Sequence, residues 1–390
     1  MKAKPAVRKV VLVATEESGD RLGAALMKVL RQRLGDAVRF EGVGGQAMAA
    51  EGLVSQFPIE DLSIIGFSAV AKQLPMILRR IRETADAVLR AAPDILVIID
   101  SPDFTHRVAR FVRARNRSIP IVDYVSPTVW AWRSGRARAM RRYVDHVLAL
   151  LPFEPEVYRK LRGPPCSYVG HPLIEQIATL RPNAEEQQRR DAQPPILLVL
   201  PGSRRSEITR KMSVFGATIG LLLQHQSRPV ELVLPTTPHL FDAVSAAVRG
   251  WPVRPRIVVG DAEKKAAFRV ARAAFAKSGT VTLELALAGV PMVAAYKAGA
   301  VEAWIGQRLI RSSSAILANL VVGENVVPEF IQQDCKPERL APALRDVLDD
   351  TPARQRQIEA FAQLDAIMAT GERSPSERAA DIVLGLLPKT

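Results

Sequence analysis

Short, almost continuously apolar β-branched runs alternate with helix-spaced segments along nearly the whole chain, and this rhythm constrains the fold more than any other feature. In the first half the runs are Val10–Ala14, Val38–Gly42, Ile95–Asp100, Ile119–Val125 and Val147–Leu151. Apolar runs of this length are what parallel strands buried on both faces require. Between the first two runs, Leu22, Leu26, Val29 and Leu30 are spaced for one helix face. The rhythm restarts at Ile196–Leu200, Val230–Leu234, Ile257–Val259, Ala273–Ala276 and Met292–Tyr296. The expectation is an α/β protein of two Rossmann-like, doubly wound domains, covering 1–180 and 196–370, with their strand ends facing a central cleft. The polar, proline-bounded stretch Arg181–Pro195 lacks an apolar period and reads as a linker or an edge insertion. Near the end, Ser374-Pro375-Ser376-Glu377 is a capping-box start. The helix it opens, 374–387, carries Ala379, Ile382, Val383, Leu386 and Leu387 and is expected to dock on the N-terminal domain or on a partner.

With 390 residues, 48% of them hydrophobic and 24% charged, the chain suits two ordinary globular domains rather than a disordered or fibrous protein. Two cysteines, Cys166 and Cys335, are too few for a disulfide framework and show no metal spacing. The basic start breaks into Glu16 and Glu17 before a signal-peptide core forms, and no apolar run is long enough for a spanning helix, so a cytoplasmic protein is expected. The net charge of +14 fits nucleic acid, an anionic membrane or a phosphorylated substrate. Ten arginines against one acid, Asp123, lie between Thr105 and Arg142. One reading makes them the solvated side of a helix whose stripe is Phe104, Val108, Phe111 and Val112; the other faces them to an anionic surface.

Several motifs fall at the carboxyl ends of strands. Glu16-Glu17-Ser18-Gly19-Asp20 follows the first strand and opens a helix, where glycine admits close approach and free N–H groups accept an anion; as an ordinary turn it would use Ser18 or Asp20 as N-cap. Gly42-Val43-Gly44-Gly45-Gln46-Ala47 matches the loose dinucleotide pattern, but after the second strand rather than the first. Asp100 and Asp103 end another strand; Asp103 is the better helix cap, leaving Asp100 for general-base chemistry. Gly202-Ser203-Arg204 offers a diphosphate clamp without a lysine P-loop. Ser278, Gly279 and Thr280 start a helix with Glu284 just inside it, placed to grip a ribose diol. His171 sits in a turn-like setting that could join the domains. Finally, Leu62–Leu78 is rich in large apolar side chains and runs into Arg79, Arg80 and Arg82; Ile64, Ile65, Phe67, Val70, Leu74 and Ile77 would enter lipid with the arginines on head groups, against the plainer reading of a buried helix pair.

Taken in order, Glu16-x-Ser18-Gly19-Asp20, Gly42-Val43-Gly44-Gly45, Ile99-Asp100-Ser101-Pro102-Asp103-Phe104, Ser126-Pro127-Thr128-Val129-Trp130-Ala131-Trp132, Leu151-Pro152-Phe153-Glu154, Val169-Gly170-His171-Pro172, Pro201-Gly202-Ser203-Arg204 and Ser278-Gly279-Thr280 resemble the lipid-A-disaccharide synthase family from about residue 8 to 387. Thr15 stands where that family usually has glycine. The resemblance implies a GT-B fold and an inverting glycosyltransferase that joins UDP-2,3-diacylglucosamine to 2,3-diacylglucosamine 1-phosphate. It implies Asp100 as general base, Arg204 with Ser203 on the departing diphosphate, and Ser18, Gly19, Gly202, Ser278, Gly279, Thr280, Glu284 and Asn319 around the nucleotide.

No cofactor or metal is expected, because helix N-termini and arginine can replace a divalent cation. The expected partners are the UDP-sugar donor, the acylated glucosamine phosphate acceptor and anionic inner-membrane lipid at the cytoplasmic face, with a homodimer left open. Two other classes compete: a UDP-N-acetylglucosamine 2-epimerase-like isomerase, which shares the architecture, and a basic nucleic-acid binder. The latter lacks a stacking platform, since aromatics make up only 5% of residues.

Overall fold

A computed structural model describes residues 7–62, 67–226, 228–297 and 314–388, with backbone alone over 67–73. The chain forms two compact units: Met1–Pro172 with Thr370–Thr390, and Leu173–Ala369.

The first unit is built on six parallel strands: β1 (Arg8–Ala14), β2 (Val38–Val43), β3 (Ile95–Ile99), β4 (Ile121–Tyr124), β5 (His146–Ala149) and β6 (Cys166–Tyr168), in the order β2-β1-β3-β4-β5-β6. Its strands are apolar throughout because both faces are covered. Along β1, Val11 and Val13 enter the core shared with Phe104, Val108 and Val112, whereas Val10, Leu12 and Ala14 enter the one shared with Leu26 and Leu30. The second unit repeats the plan with β7 (Ile196–Leu200), β8 (Glu231–Thr236), β9 (Arg256–Val259), β10 (Ala273–Lys277), β11 (Met292–Tyr296) and β12 (Glu329–Ile331), in the order β12-β11-β10-β7-β8-β9. In each sheet the winding direction reverses once, between β1 and β3 and between β7 and β10. Ligands of open α/β sheets bind at the carboxyl side of such reversals.

Four helices of the first unit matter below: α1 (Glu17–Leu34), α2 (Gln46–Ala50), α3 (Phe67–Ala91) and α4 (Pro102–Arg115). The terminal helix Pro375–Gly385 packs Ala379, Ala380 and Val383 against the same core as Leu26 and Leu30, so it docks within the first unit. Ser374 accepts from the Glu377 N–H and the Glu377 carboxylate accepts from the Ser374 N–H, the expected capping box.

Three expectations need correction. The stretch 181–195 is not a free linker, since the division falls at Pro172–Leu173 and Ala184–Asp191 is a helix of the second unit, started by a capping box at Asn183. It is fastened by polar rather than apolar contacts: buried Arg190 donates to the carbonyls of Phe268, Arg269, Ala288 and Gly289. The absence of an apolar period therefore concealed it. Secondly, neither Ser18 nor Asp20 caps α1, whose N-cap is Glu16 without a side-chain bond. Instead the buried Asp20 carboxylate accepts the backbone N–H groups of Gly45, Ala47 and Met48 at 2.7, 2.8 and 3.1 Å. That carboxylate occupies the anion position of the Gly42–Ala47 turn, which removes the dinucleotide reading. Thirdly, Phe111 faces outward, and the guanidinium of Arg115 lies over its ring.

Candidate active site

At the β1/β3 reversal, Ala14 and Ile99 are register partners, so the residues that follow them emerge side by side. Gly19 sits in the first turn of α1, where a Cβ would make ordinary contact, 3.4 Å, with the Ile99 side chain and carbonyl oxygen, so α1 starts close against β3. On the other strand, Asp100 and Ser101 adopt consecutive left-handed conformations, φ +53° and +46°. Such backbone persists in non-glycine residues only when neighbours hold it. Here the Asp100 N–H donates to the Tyr124 carbonyl at 3.0 Å, and the Thr105 hydroxyl donates to the Asp100 carbonyl at 2.6 Å.

The turn leaves the Asp100 carboxylate half-buried, with one oxygen accepting the Ser101 N–H at 2.7 Å, while the Ser101 hydroxyl donates to Glu16 at 2.9 Å. Burial pushes the Asp100 carboxyl above its ordinary value; the charges of Glu16 and Asp123 add to the rise, and hydrogen bonds from the Ser101 N–H and Ser18 hydroxyl oppose it. A carboxylate raised in this way is suited to accept a proton. Asp103, expected as the helix cap, is not one. Pro102 occupies the first helical position, and the Asp103 side chain, 80% exposed, pairs with Arg136 at 3.3 Å.

At the β7/β10 reversal, Leu200 and Ala276 are partners. The loops beyond them enclose a cavity of about 550 Å³ lined by Gly202, Ser203, Arg204, Gly279, Thr280 and Glu284, so six of the residues picked from sequence meet there. Gly202 has φ +131°, and a Cβ on it would lie 2.2 Å from a Glu207 carboxylate oxygen, which makes glycine obligatory. Glu207 accepts the Ser203 N–H at 3.1 Å and pairs with Lys277 at 3.0 Å. Burial pushes the Glu207 carboxyl up, but the Lys277 and Lys211 ammonium groups and the Ser203 N–H together outweigh it and hold the group below the ordinary carboxylate value. Glu284 faces Lys264 at 2.8 Å. Burial lowers the Lys264 ammonium, and the carboxylates of Glu284 and Asp261 reverse this and raise it.

Lys264, Lys277, Thr236 and Thr237 also line the cavity and escaped the sequence reading. The hydroxyl oxygens of Thr236 and Thr237 are buried behind the cavity wall without a hydrogen-bond partner. Their signal was positional: each of these residues lies at or just beyond the carboxyl end of β8, β9 or β10. Ser278 and Asn319 do not line the cavity. The Ser278 hydroxyl donates to the Ala315 carbonyl at 2.8 Å. The Asn319 amide donates to the Val327 carbonyl and to Glu329, and accepts the Val327 N–H, so it fastens Leu317–Val322 to the segment entering β12. Lys277 is paired with Glu207 and Lys264 with Glu284 and Asp261, so the charge that favours an anionic, phosphate-bearing ligand comes from Arg204 and the N-terminus of the 20-residue helix Arg205–Gln224.

The lipid-A-disaccharide synthetase family matches residues 10–383. The chain belongs to that family. It is 74% identical over 384 residues to a lipid-A-disaccharide synthase of Rhodopseudomonas palustris strain HaA2, covering 98% of each chain. Among solved structures it resembles the UDP-GlcNAc 2-epimerase from Neisseria meningitidis bound to UDP-GlcNAc (TM-score 0.63, 10% identity, 97% of this chain and 100% of the other). It likewise resembles Acinetobacter baumannii MurG (TM-score 0.58, 14% identity, 97% and 99%). At such low identity these two likenesses establish the shared GT-B fold and no activity.

Of the lipid-facing residues expected in this family member, Ile64 and Ile65 lie outside the described residues, as do the side chains of Phe67 and Val70. Leu74 is 44% exposed, whereas Ile77 packs partly against the core. Arg79 pairs with Glu83 at 2.7 Å; Arg80 pairs with Asp61 at 2.7 Å and lies over the Phe57 ring. Among the described residues, no helix is long and apolar enough to cross a membrane. His171 lies two residues before the division between units.

Proposed function

We propose that this chain transfers a 2,3-diacylglucosamine unit from its UDP donor to the 6-hydroxyl of 2,3-diacylglucosamine 1-phosphate, with inversion and release of UDP. The observation that carries the reading is Asp100: a carboxylate held by strained backbone at the β1/β3 reversal, with a raised pKa, in a chain of this family. Asp100 takes the proton of the attacking hydroxyl as it adds to the anomeric carbon on the face opposite UDP. The transition state is oxocarbenium-like, and negative charge builds on the departing diphosphate. Arg204, Lys277 and the N–H groups at the start of Arg205–Gln224 balance that charge, and Glu284 accepts hydrogen bonds from the ribose. Ser18 and Gly19, beside Asp100, contribute to binding of the UDP-sugar donor.

The acyl chains place the reaction at a lipid surface, which we assign to the cytoplasmic face of the inner membrane. Exposed Leu74 and the apolar segment preceding it support this, while Arg79 and Arg80 are already paired with carboxylates and so contribute less to head-group binding than their charge suggests.

The test is mass spectrometry of products from the acylated donor and acceptor. A disaccharide 1-phosphate with stoichiometric UDP is expected; donor isomerised without acceptor, unchanged in mass and read by proton NMR, would mean an epimerase. Arg204→Ala should lower kcat by about 10²–10³, the weight of a donor aimed at developing charge, and turnover should survive EDTA. Loss with EDTA and recovery with Mg²⁺ would contradict the assignment of charge balance to Arg204 and Lys277.

A further inference from the structure

A second concave site lies at the opposite, amino-terminal edge of the first sheet. Near the C-terminal end of α4 and in the turn before β5, a cavity of about 810 Å³ is lined by Arg110, Arg113, Arg117, Arg141, Arg142 and Tyr143, with Asp145 at its margin. Asp145 joins the start of β5 to the start of β4 through its N–H on the Ile121 carbonyl. Asp100, by contrast, follows the carboxyl end of β3, so the two sites lie on opposite sides of the sheet.

The cations in this cavity are not used up by the fold. Arg113 pairs with Asp145, and Arg110 donates to the Tyr143 hydroxyl and lies 4.7 Å from its ring centre. Arg117, Arg141 and Arg142 are exposed and have no carboxylate partner among the described residues. The cavity's lining includes one carboxylate against five guanidiniums. The C-terminal ends of α4 and of the helix Gly135–Met140 also point here, each offering roughly half a negative charge. About three positive charges remain uncompensated. The floor is polar as well: buried Tyr143 bonds His106 Nδ1 at 3.1 Å, and His106 Nε2 lies 3.2 Å from Asp123, both nearly sealed from solvent. Guanidinium forks match phosphate oxygens in pairs, and a cavity of this volume holds a small ligand.

We propose that this arginine-lined cavity binds a multiply charged phosphate, a phosphomonoester or diphosphate, at a site separate from that of the proposed transfer reaction. The charge left over selects the ligand: a phosphodiester head group carries one negative charge and leaves most of the repulsion in place, whereas pyrophosphate or a phosphomonoester cancels most of it. Binding should therefore favour pyrophosphate over vesicles of phosphatidylglycerol.

The experiment titrates the full chain with inorganic pyrophosphate at constant ionic strength, following thermal stability and heat, beside flotation with phosphatidylglycerol vesicles. The cavity at Gly202–Glu284 also offers an anion site, so the reading is the difference between wild type and Arg141→Gln/Arg142→Gln, which leaves that cavity untouched. The double variant should keep its response to UDP and lose about tenfold in pyrophosphate affinity at the second site. Arg117→Gln, on a different segment, should weaken it severalfold. Relief of like-charge repulsion should also make the double variant no less stable than wild type in chloride alone. Equal pyrophosphate isotherms in wild type and double variant would overturn the proposal. So would arginine-dependent vesicle binding without a pyrophosphate response, which would make the patch a membrane contact.

Discussion

Asp100 carries two burdens at once, a left-handed backbone and a carboxylate partly removed from water. Backbone of this kind costs of order 1–3 kcal/mol per residue, and the bonds from Thr105 and to Tyr124 over-determine it. Asp100→Asn keeps the shape and removes the base, so kcat should fall by about 10²–10⁴ while the melting temperature holds. Because burial and the Glu16 and Asp123 charges raise the Asp100 carboxyl, the base is lost on acidification earlier than for a free aspartate. The acidic limb of the kcat/KM profile should lie above pH ~4. Glu16→Gln removes one of the charges that raise it and should move that limb to lower pH; a limb that stays put would detach Glu16 from the proton's affinity. Asp103→Asn loses only an exposed pair with Arg136 and should cost less than about 1 kcal/mol by denaturant titration, with activity intact. Sequence alone assigned the two aspartates different roles, and the helix cap it gave Asp103 is not formed. The Ser101-Pro102 start of α4 depends on the turn at Asp100, and no local signal announces that turn. The same limit applies to Thr236 and Thr237, whose importance comes from lacking partners in three dimensions.

Elements of the sheet were legible to within a residue or two where they are buried on both faces. Ile196–Leu200 and Met292–Tyr296 form strands at the positions expected from their apolar runs. The edge strands β6 and β12, three residues each and only partly buried, have no such run and were not foreseen. One helix start in the first unit links local structure to pH. Glu154 opens the helix Glu154–Lys160, is 3% exposed, and accepts the Leu151 N–H at 2.9 Å and the Trp130 indole N–H at 3.3 Å. Burial pushes its carboxyl up to about 7, against those hydrogen bonds. The folded state therefore binds this proton more tightly than the unfolded chain, so the group's contribution is fully present below pH ~4.5 and is lost as pH rises through about 7. Glu154→Gln removes the buried charge but keeps one acceptor oxygen, so either the Leu151 N–H or the Trp130 indole N–H faces an NH2 instead. It should be less stable than wild type at pH 5, and the difference should move in the variant's favour by up to about 3 kcal/mol between pH 5 and pH 8, read from paired chemical denaturations. Equal differences at the two pH values would show that Glu154 is ionised throughout.

For the molecule as a whole, the β/α rhythm disclosed two doubly wound units, but it set their border at the Arg181–Pro195 stretch, some residues beyond the observed Pro172–Leu173 division. The misplacement has a physical origin: helix Ala184–Asp191 is held by Arg190 on carbonyls, and an apolar-pattern reading is blind to such anchors. The first unit takes its last piece from the far end of the chain. Ala379, Ala380 and Val383 are buried beside Leu26 and Leu30, with Ile382, Leu384, Leu386 and Leu387 packed around them. Removing 370–390 should uncover that face and lower the melting of the first unit by at least about 10 °C, leaving the second unit's transition in place. Differential scanning calorimetry of full-length and shortened chains separates the two. A uniform fall in both transitions would mean that the units melt as one.

A unit whose first and last segments flank another has a schedule imposed on it during synthesis. The apolar side of α1 leaves the ribosome early, but the helix that covers it follows on the order of 340 residues later. At ordinary elongation rates of about 5–20 residues per second, that face waits roughly 17–70 s for its cover. Over the same interval Leu173–Ala369 emerges as an unbroken stretch and can close on its own core. The half of the molecule translated first is thus the half completed last, and its uncovered α1 face is the surface on which a nascent-chain chaperone would act.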